Sequence, residues 1–274
     1  MKPVPRCAES ETDESQEPQL RVDSAFGGTR CRQPGCNDGL EGLPANERDA
    51  VHIGLIVGIG PAATDFYYRS LIARMAAVPA DLELTMVHAD TPTLLANQAE
   101  GNTQAQVEIY DRLTRRLQAA GARSVAVTSI AGHFCIDAFQ NVSVLPVIDL
   151  LSVVAAGVRD RGYQRVGLLG TRGVMASHFY GALSDVDVVA PLGPSLDAVH
   201  DAYVTVASTA TCTEEQRHGF FVAGRAMVEE QGADAVLLAG TDLALAFHGF
   251  DAGFPVFDCA AAHVQAIFAE AVRG

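Results

Sequence analysis

The chain has 274 residues, of which 49% are hydrophobic and 19% charged, which is enough material for one large α/β domain or two smaller ones. Acidic residues outnumber basic ones 33 to 19, and the net charge of −14 argues against nucleic acid as a partner. Lys2 is the single lysine, which disfavours pyridoxal-phosphate enzymes and Walker-type nucleotide binders because both use a lysine amine.

Residues 1–50 are rich in Pro, Gly, Ser and acidic residues and show neither helical nor strand periodicity. Such a composition predicts a disordered polar leader. No apolar segment follows the first positive charges, and no run of about 18 apolar residues occurs, so we expect neither a signal peptide nor a membrane span. We therefore expect a cytoplasmic protein without a membrane partner. The six cysteines form no CxxC pair, and no metal site is predicted.

From Val51 onward, short apolar runs that end in Gly or Pro alternate with amphipathic segments. VHIGLIVGIGP predicts a buried strand and TDFYYRSLIARMAA a helix. Further strands are predicted at LELTMVHAD, SVAVTSIAG and VLPVIDL. Further helices are predicted at TQAQVEIYDRLTRRLQAAG, around Cys135–Gln140 and from Leu151 to Arg161. This alternation indicates an α/β fold with parallel sheets covered on both faces.

The pattern then repeats. HIGLIVGIGP returns as RVGLLGTRGV, GARSVAVTSIAG as GADAVLLAGTD, and VLPVIDL as GFPVFDC, at offsets of 113, 111 and 109 residues. Three landmarks in one order with nearly constant spacing predict two pseudosymmetric α/β halves, 51–152 and 153–274, after the leader 1–50. Ligands of open parallel sheets bind beyond the carboxyl ends of the strands, so we expect these ends to face one cleft.

The predicted strand ends supply candidate binding residues. GIGPAAT starts a helix whose free N–H groups favour a carboxylate or phosphate, although a tight turn without a ligand is an alternative. It departs from GxGxxG at Ala63, which disfavours a dinucleotide. The guanidinium of Arg172 is suited to pair with a substrate carboxylate, and the alternative is that Arg172 is an ordinary surface residue. The predicted substrate-binding residues are Gly58, Gly60, Thr64, His88, Asp90, Thr128, Thr171, Arg172 and Gly240.

GIGPAAT, LLGTRG and GTDL, in order between about Ile53 and the C-terminus, resemble the opening loop, the second-half opening and the second catalytic strand end of the aspartate/glutamate racemase family. The resemblance implies a two-domain, pseudosymmetric enzyme that needs no cofactor, acts on a small carboxylate or amino acid, and is often a homodimer. Members of that family use one cysteine from each half, on opposite faces of the substrate Cα, to remove and return a proton.

Both cysteine positions of that pattern are substituted here. The family motif Cys-Asn-Thr-Ala-His, aligned on its histidine, places Ser129 at the first thiol, and Gly-Cys-Thr-Glu places Gly240 at the second. A serine hydroxyl is a much weaker acid than a thiol, and glycine offers no group, so two-base racemisation needs replacements. The candidate catalytic residues are Ser129, His133, Thr241 and Asp242. Asp242 as a helix N-cap and His133 as a structural residue are the alternatives.

Cys135, at a helix start, and Cys259, just past a strand, are either replacement thiols or small buried hydrophobic residues. The sequence as a whole favours a cofactor-independent isomerase that acts at the carbon next to a carboxylate, with Asp or Glu as the substrate by analogy only. Two alternatives stay open: a one-sided lyase, decarboxylase, cyclase or hydrolase of the same superfamily, and a non-catalytic carboxylate-binding protein.

Overall fold

The computed structural model describes residues 51–58 and 60–273, which form two α/β halves that are each built on a parallel sheet. The predicted leader, residues 1–50, lies outside the described residues. The first sheet has the order β2-β1-β3, from β1 (Ile53–Val57), β2 (Leu84–His88) and β3 (Ser124–Val127). The second has the order β5-β4-β6-β7, from β4 (Arg165–Gly170), β5 (Asp187–Val189), β6 (Ala235–Ala239) and β7 (Val256–Asp258). The predicted fold class, two parallel-sheet α/β halves, is confirmed.

Ten α-helices connect and cover these strands within the described ranges. They are α1 (Pro61–Met75), α2 (Thr91–Glu100), α3 (Thr103–Ala119), α4 (Ile136–Val142), α5 (Leu150–Asp160), α6 (Arg172–Ala176), α7 (Pro194–Thr209), α8 (Glu214–Glu229), α9 (Ala244–Phe247) and α10 (Cys259–Ala271). None of the described helices is both long and apolar enough to cross a membrane.

The central strands read as unbroken apolar runs because both of their faces are covered. Every residue of β1, β3 and β6 is buried, as expected for parallel strands between two helix layers. The edge strand β2 is half-exposed instead. Continuous apolar runs in the sequence therefore indicate which strands are central.

One predicted strand is much shorter in the structure than the sequence pattern indicates. The segment VLPVIDL forms only an isolated parallel bridge between Val147 and Val125, whereas its repeat GFPVFDC contributes the three-residue strand β7. Both segments contain a proline, which has no N–H to give to a ladder, and the carbonyls of Pro146 and Pro255 accept from Val125 and Val236 in the same way. Both segments lie beside the equivalent strand, β3 in one half and β6 in the other, so the internal repeat is also a structural repeat.

The two halves exchange helices. α10, which ends the second half in sequence, packs through Val264 and Ile267 into the core cluster that contains Ile53 and Leu55 of β1. α5 packs in the other direction, since a Cβ at Gly157 would come within 2.8 Å of the ring of Phe257 on β7. The predicted division between residues 152 and 153 falls inside α5. This exchange ties the halves together beside the cleft.

Candidate functional site

Asp242 links the two halves at the carboxyl ends of their central strands. It lies in the turn after β6 with 1% of its surface exposed. Its Oδ1 accepts the N–H of Ala63 in the first turn of α1 at 2.9 Å, and its Oδ2 accepts the hydroxyl of Tyr203 at 3.4 Å. The amino end of a helix favours a carboxylate at this place, and burial raises the pKa of Asp242 to about 6. A capping carboxylate is therefore present, but it caps a helix of the other half.

Gly60 makes room for this carboxylate. A Cβ at Gly60 would lie 2.3 Å from Oδ2 of Asp242, and the backbone φ of +92° is one that side chains other than glycine rarely adopt. The glycine turn that the sequence predicts as an anion site thus holds an anion from the protein's own chain.

Gly240, where the sequence motif predicts the second family cysteine, is covered by an aromatic ring. A Cβ built there would lie 2.2 Å from Cε2 of Tyr203 and 2.6 Å from Cζ. Tyr203 comes from α7 and is 6% exposed. Position 240 therefore has no space for the side chain of a replacement base, because the ring of Tyr203 occupies that space.

Ser129, where the sequence motif predicts the first family cysteine, has no base beside its hydroxyl among the described residues. Within residues 60–273 its Oγ accepts the N–H of Gly132 at 3.3 Å, and neither a carboxylate nor an imidazole lies within hydrogen-bonding distance. His133 contacts the carbonyl of Ser129 instead, with Nδ1 2.6 Å from the oxygen. Nδ1 therefore carries the proton, and burial lowers the pKa of His133. Thr128 donates its hydroxyl to the carbonyl of Ile56, so this strand end is a closed, buried structure.

A cavity of about 620 Å³ opens beside Asp242. The first half contributes the start of α1, and the second half contributes the turn from Thr241 to His248, so the cavity lies between the halves. The hydroxyl of Thr241 is buried next to Asp242 and completes no hydrogen bond within the described chain. Of the predicted catalytic residues, Thr241 and Asp242 line this cavity, whereas Ser129 and His133 do not.

His248 is a cavity residue that sequence reasoning did not select as a catalytic or binding residue. Its Nε2 donates to Oδ2 of Asp258 at 2.6 Å, and this hydrogen bond raises the pKa of the imidazole. Asp258 is fixed in turn, because its Oδ1 caps α10 through the N–H of Ala261. The pair is ten residues apart on two different elements, and no local spacing in the sequence marks it.

The loop residues of the first half stabilise the glycine turn. Thr64 donates its hydroxyl to the carbonyl of Gly60 and accepts the N–H of Gly58. The imidazole of His88 lies against Gly58, where a Cβ would be 2.3 Å from Nδ1. Asp90 caps α2 by accepting the N–H of Thr93 at 2.9 Å. The structure thus brings Gly58, Thr64 and His88 together, and their substrate contacts stay a prediction.

Thr171 and Arg172 lie outside the cavity. Thr171 caps α6 by accepting the N–H of Val174. Arg172 is half-exposed and donates from Nε and Nη2 to Oδ1 of Asp197, at 3.0 and 2.7 Å. The structure therefore gives Arg172 a surface ion pair, which was the alternative to its role as a carboxylate clamp.

Neither of the two candidate replacement thiols is poised as a base. Cys135 and Cys259 are both buried. Burial raises the pKa of Cys135 to about 12 and that of Cys259 well above the ordinary thiol value. Neither residue lines the cavity beside Asp242. The hydrophobic role that the sequence offered as an alternative fits both cysteines.

A family model described as Asp/Glu/Hydantoin racemase matches residues 56–267. The chain belongs to this family. The resemblance inferred from the sequence motifs is confirmed.

Solved structures of similar proteins show the same fold. A candidate Asp/Glu racemase from Yersinia pestis is 24% identical, with a TM-score of 0.70 over 81% of this chain and 99% of that one. An aspartate racemase homologue from Pyrococcus horikoshii OT3 is 23% identical, with a TM-score of 0.66 over 82% and 100%. The aspartate racemase of Picrophilus torridus is 20% identical, with a TM-score of 0.63 over 80% and 94%. These likenesses show the fold alone.

Proposed function

We propose that this protein is a cofactor-independent enzyme that transfers a proton on one face of the carbon next to the carboxylate of a small acid. Asp242 is the acid–base residue of this reaction. The observation that carries the proposal is the hydroxyl of Ser129, which has no base beside it among the described residues, because this leaves the face of the first half, opposite Asp242, without a group that could take up a proton.

The protonation state of Asp242 suits this role. A general acid–base group works best when its pKa lies near the working pH, and burial raises the pKa of Asp242 to about 6. Ser129 lacks an adjacent base, and the pKa of Cys135 is raised to about 12. Of the predicted catalytic residues that line the cavity, Asp242 is therefore the one suited to exchange a proton near neutral pH.

The reaction step balances with these groups alone. The Cα–H bond breaks, the proton moves to a carboxylate oxygen of Asp242, and the electron pair stays on the substrate as an enolate. The hydroxyl of Thr241, buried without a completed hydrogen bond, is available to donate to the enolate oxygen. The proton then returns from Asp242 to the same face, after exchange with solvent. The same acid would protonate an enolate formed by loss of carbon dioxide.

The test is incubation in deuterium oxide with both enantiomers of aspartate, glutamate, 2-phenylpropionate and mandelate, followed by NMR and chiral chromatography. We expect deuterium at Cα, or a new product, with a single configuration. Removing a general acid–base typically costs 10²- to 10⁴-fold in rate, so Asp242→Asn should lose about 100-fold or more. Asp160→Asn, at an exposed acid that ends α5, should retain wild-type activity.

Three results would overturn the proposal. Formation of both enantiomers at equal rates would require a second base on the opposite face. Full activity in Asp242→Asn would remove the proposed acid–base. Absence of any exchange or product, combined with a melting temperature raised by one of the acids, would identify a carboxylate-binding protein without catalysis.

A further inference from the structure

A second cavity, of about 540 Å³, lies along α5 and shares no lining residue with the cavity beside Asp242. Leu151, Ala155 and Arg159 line it, and their spacing of four residues places all three on one face of the helix. Asp149, which caps α5, lines the same cavity. The cavity therefore follows the helix from its first turn to its last as an elongated groove, which we call the α5 groove.

The walls of the α5 groove come from two other parts of the chain. The segment from His133 to Ala138 forms one wall, and Tyr180 forms part of another. The hydroxyl of Tyr180 accepts from Gln98 at 2.6 Å and donates to the carbonyl of Ala131 at 3.3 Å. Because these hydrogen bonds fix the second wall, the groove is formed before a ligand enters, as most small-molecule sites are.

The charges of the α5 groove are separated along the helix. Asp149 and Arg159 are ten residues apart, which is about 15 Å along an α-helix. Asp137, at the start of α4, adds a second carboxylate to the lining. None of these three groups forms an ion pair with a described residue. Asp149 accepts three hydrogen bonds from Leu151 and Ser152, all from neutral donors, so it keeps its charge and about one acceptor position.

The end of the groove near Asp149 also offers an acceptor without a partner. His133 lies in the lining and is 1% exposed. Its Nδ1 donates to the carbonyl of Ser129, and its Nε2 completes no hydrogen bond among the described residues. Burial lowers the pKa of this imidazole, so it is neutral at pH 7 and Nε2 is an acceptor. The negative charge of Asp149 acts on the same imidazole. A carboxylate beside a neutral acceptor suits an ammonium group, which brings three donors and a positive charge.

We propose that the α5 groove binds a short peptide with free ends, with its ammonium group at Asp149 and His133 and its carboxylate at Arg159. An extended chain of three residues spans about 10 Å. This length fits the separation of the charges, because the side chain of Arg159 leans toward the amino end of α5 and so toward Asp149. A single amino acid spans at most about 3.6 Å and cannot reach both ends. The inference does not depend on the proposed function, since the groove and the cavity beside Asp242 have separate linings.

Calorimetry at pH 7 with the full chain compares trialanine with N-acetyl-trialanine, trialanine amide and alanine. We expect trialanine to bind at least tenfold more tightly than each of the others, because each of them lacks one charged end or the length to reach it. Arg159→Gln should bind trialanine at least tenfold less tightly than the wild type does, and no more tightly than it binds trialanine amide. Arg116→Gln, at an exposed arginine in the last turn of α3, is the matched control and should bind trialanine like the wild type.

Asp149→Asn tests the other end of the groove, because asparagine removes the charge and keeps the helix cap. Its affinity for trialanine should fall at least tenfold, and it should no longer prefer trialanine over N-acetyl-trialanine. Equal binding of trialanine and either blocked peptide to the wild type would overturn the inference, as would no binding of trialanine or unchanged affinity in a folded Arg159→Gln. If the variants do not fold, the comparison of free and blocked peptides on the wild type supplies the same decision.

Discussion

Substitution of Gly240 by alanine tests whether the ring of Tyr203 occupies the space of a side chain at position 240, where the sequence motif predicts the second family thiol. The new Cβ would lie 2.2 Å from Cε2, whereas carbon atoms in contact are normally about 3.5–4.0 Å apart. The ring would have to move by more than about 1 Å, yet it is 6% exposed and its hydroxyl contacts Asp242. The backbone of Gly240 is extended, with φ −147° and ψ 121°, so alanine meets no conformational penalty there.

The expected cost of Gly240→Ala is therefore the cost of overpacking, about 1–3 kcal/mol in the free energy of unfolding. Urea unfolding followed by circular dichroism suits this chain, which has no tryptophan. In a Tyr203→Ala background the ring is absent, and Gly240→Ala should then cost less than about 0.5 kcal/mol. Gly219→Ala, in α8 where a Cβ meets nothing within 4 Å, is the control and should stabilise by about 0.5–1 kcal/mol. An equal loss in both backgrounds would refute the reasoning.

Three further perturbations test the buried polar groups. Because burial raises the pKa of Asp242 to about 6, its ionisation costs the folded state up to about 3 kcal/mol, absent below pH 4 and complete above pH 6. The free energy of unfolding of Asp242→Asn, measured in urea relative to that of the wild type, should therefore rise by up to about 3 kcal/mol between pH 4 and pH 7. A difference in unfolding free energy that stays constant over this range would contradict this. Tyr67→Phe removes the donor to Nδ1 of the buried His263, at 2.9 Å, and should lower the unfolding free energy by about 1–3 kcal/mol; an unchanged value would contradict the bond. Tyr180→Phe removes the hydroxyl that joins Gln98 to the carbonyl of Ala131 and should lower the melting temperature, consistent with about 1 kcal/mol; an unchanged melting temperature would rule out a stabilising contribution.

The sequence predicts the sheets because parallel strands covered on both faces must be apolar throughout, as β1 and β6 are. It does not predict β5, whose three residues begin with the exposed Asp187 and continue with two half-buried valines. Short edge strands of this kind depend on the neighbouring strand, here β4, more than on their own composition.

The site is less predictable because its decisive contacts join distant parts of the chain. Asp242 contacts Ala63, which lies 179 residues earlier in the chain. The residues next to Asp242 in the sequence predict that it caps a nearby helix, and they do not predict that it bridges the two halves. Tyr203 reads as an ordinary buried aromatic residue of α7, and its contact with Gly240 follows only from helix placement. The sequence motifs predict that both family thiols are substituted, whereas they do not predict the ring that takes the space of a side chain at position 240.

The most direct test of the central claim is the stereochemistry of exchange at Cα. Each enantiomer of an acid that the enzyme accepts is incubated in deuterium oxide, and deuterium content and configuration are measured by mass spectrometry after chiral separation. Proton transfer on one face by Asp242 predicts deuterium in the starting enantiomer with no appearance of its mirror image. Deuterium in the opposite enantiomer, formed at a rate comparable to exchange, would contradict the account.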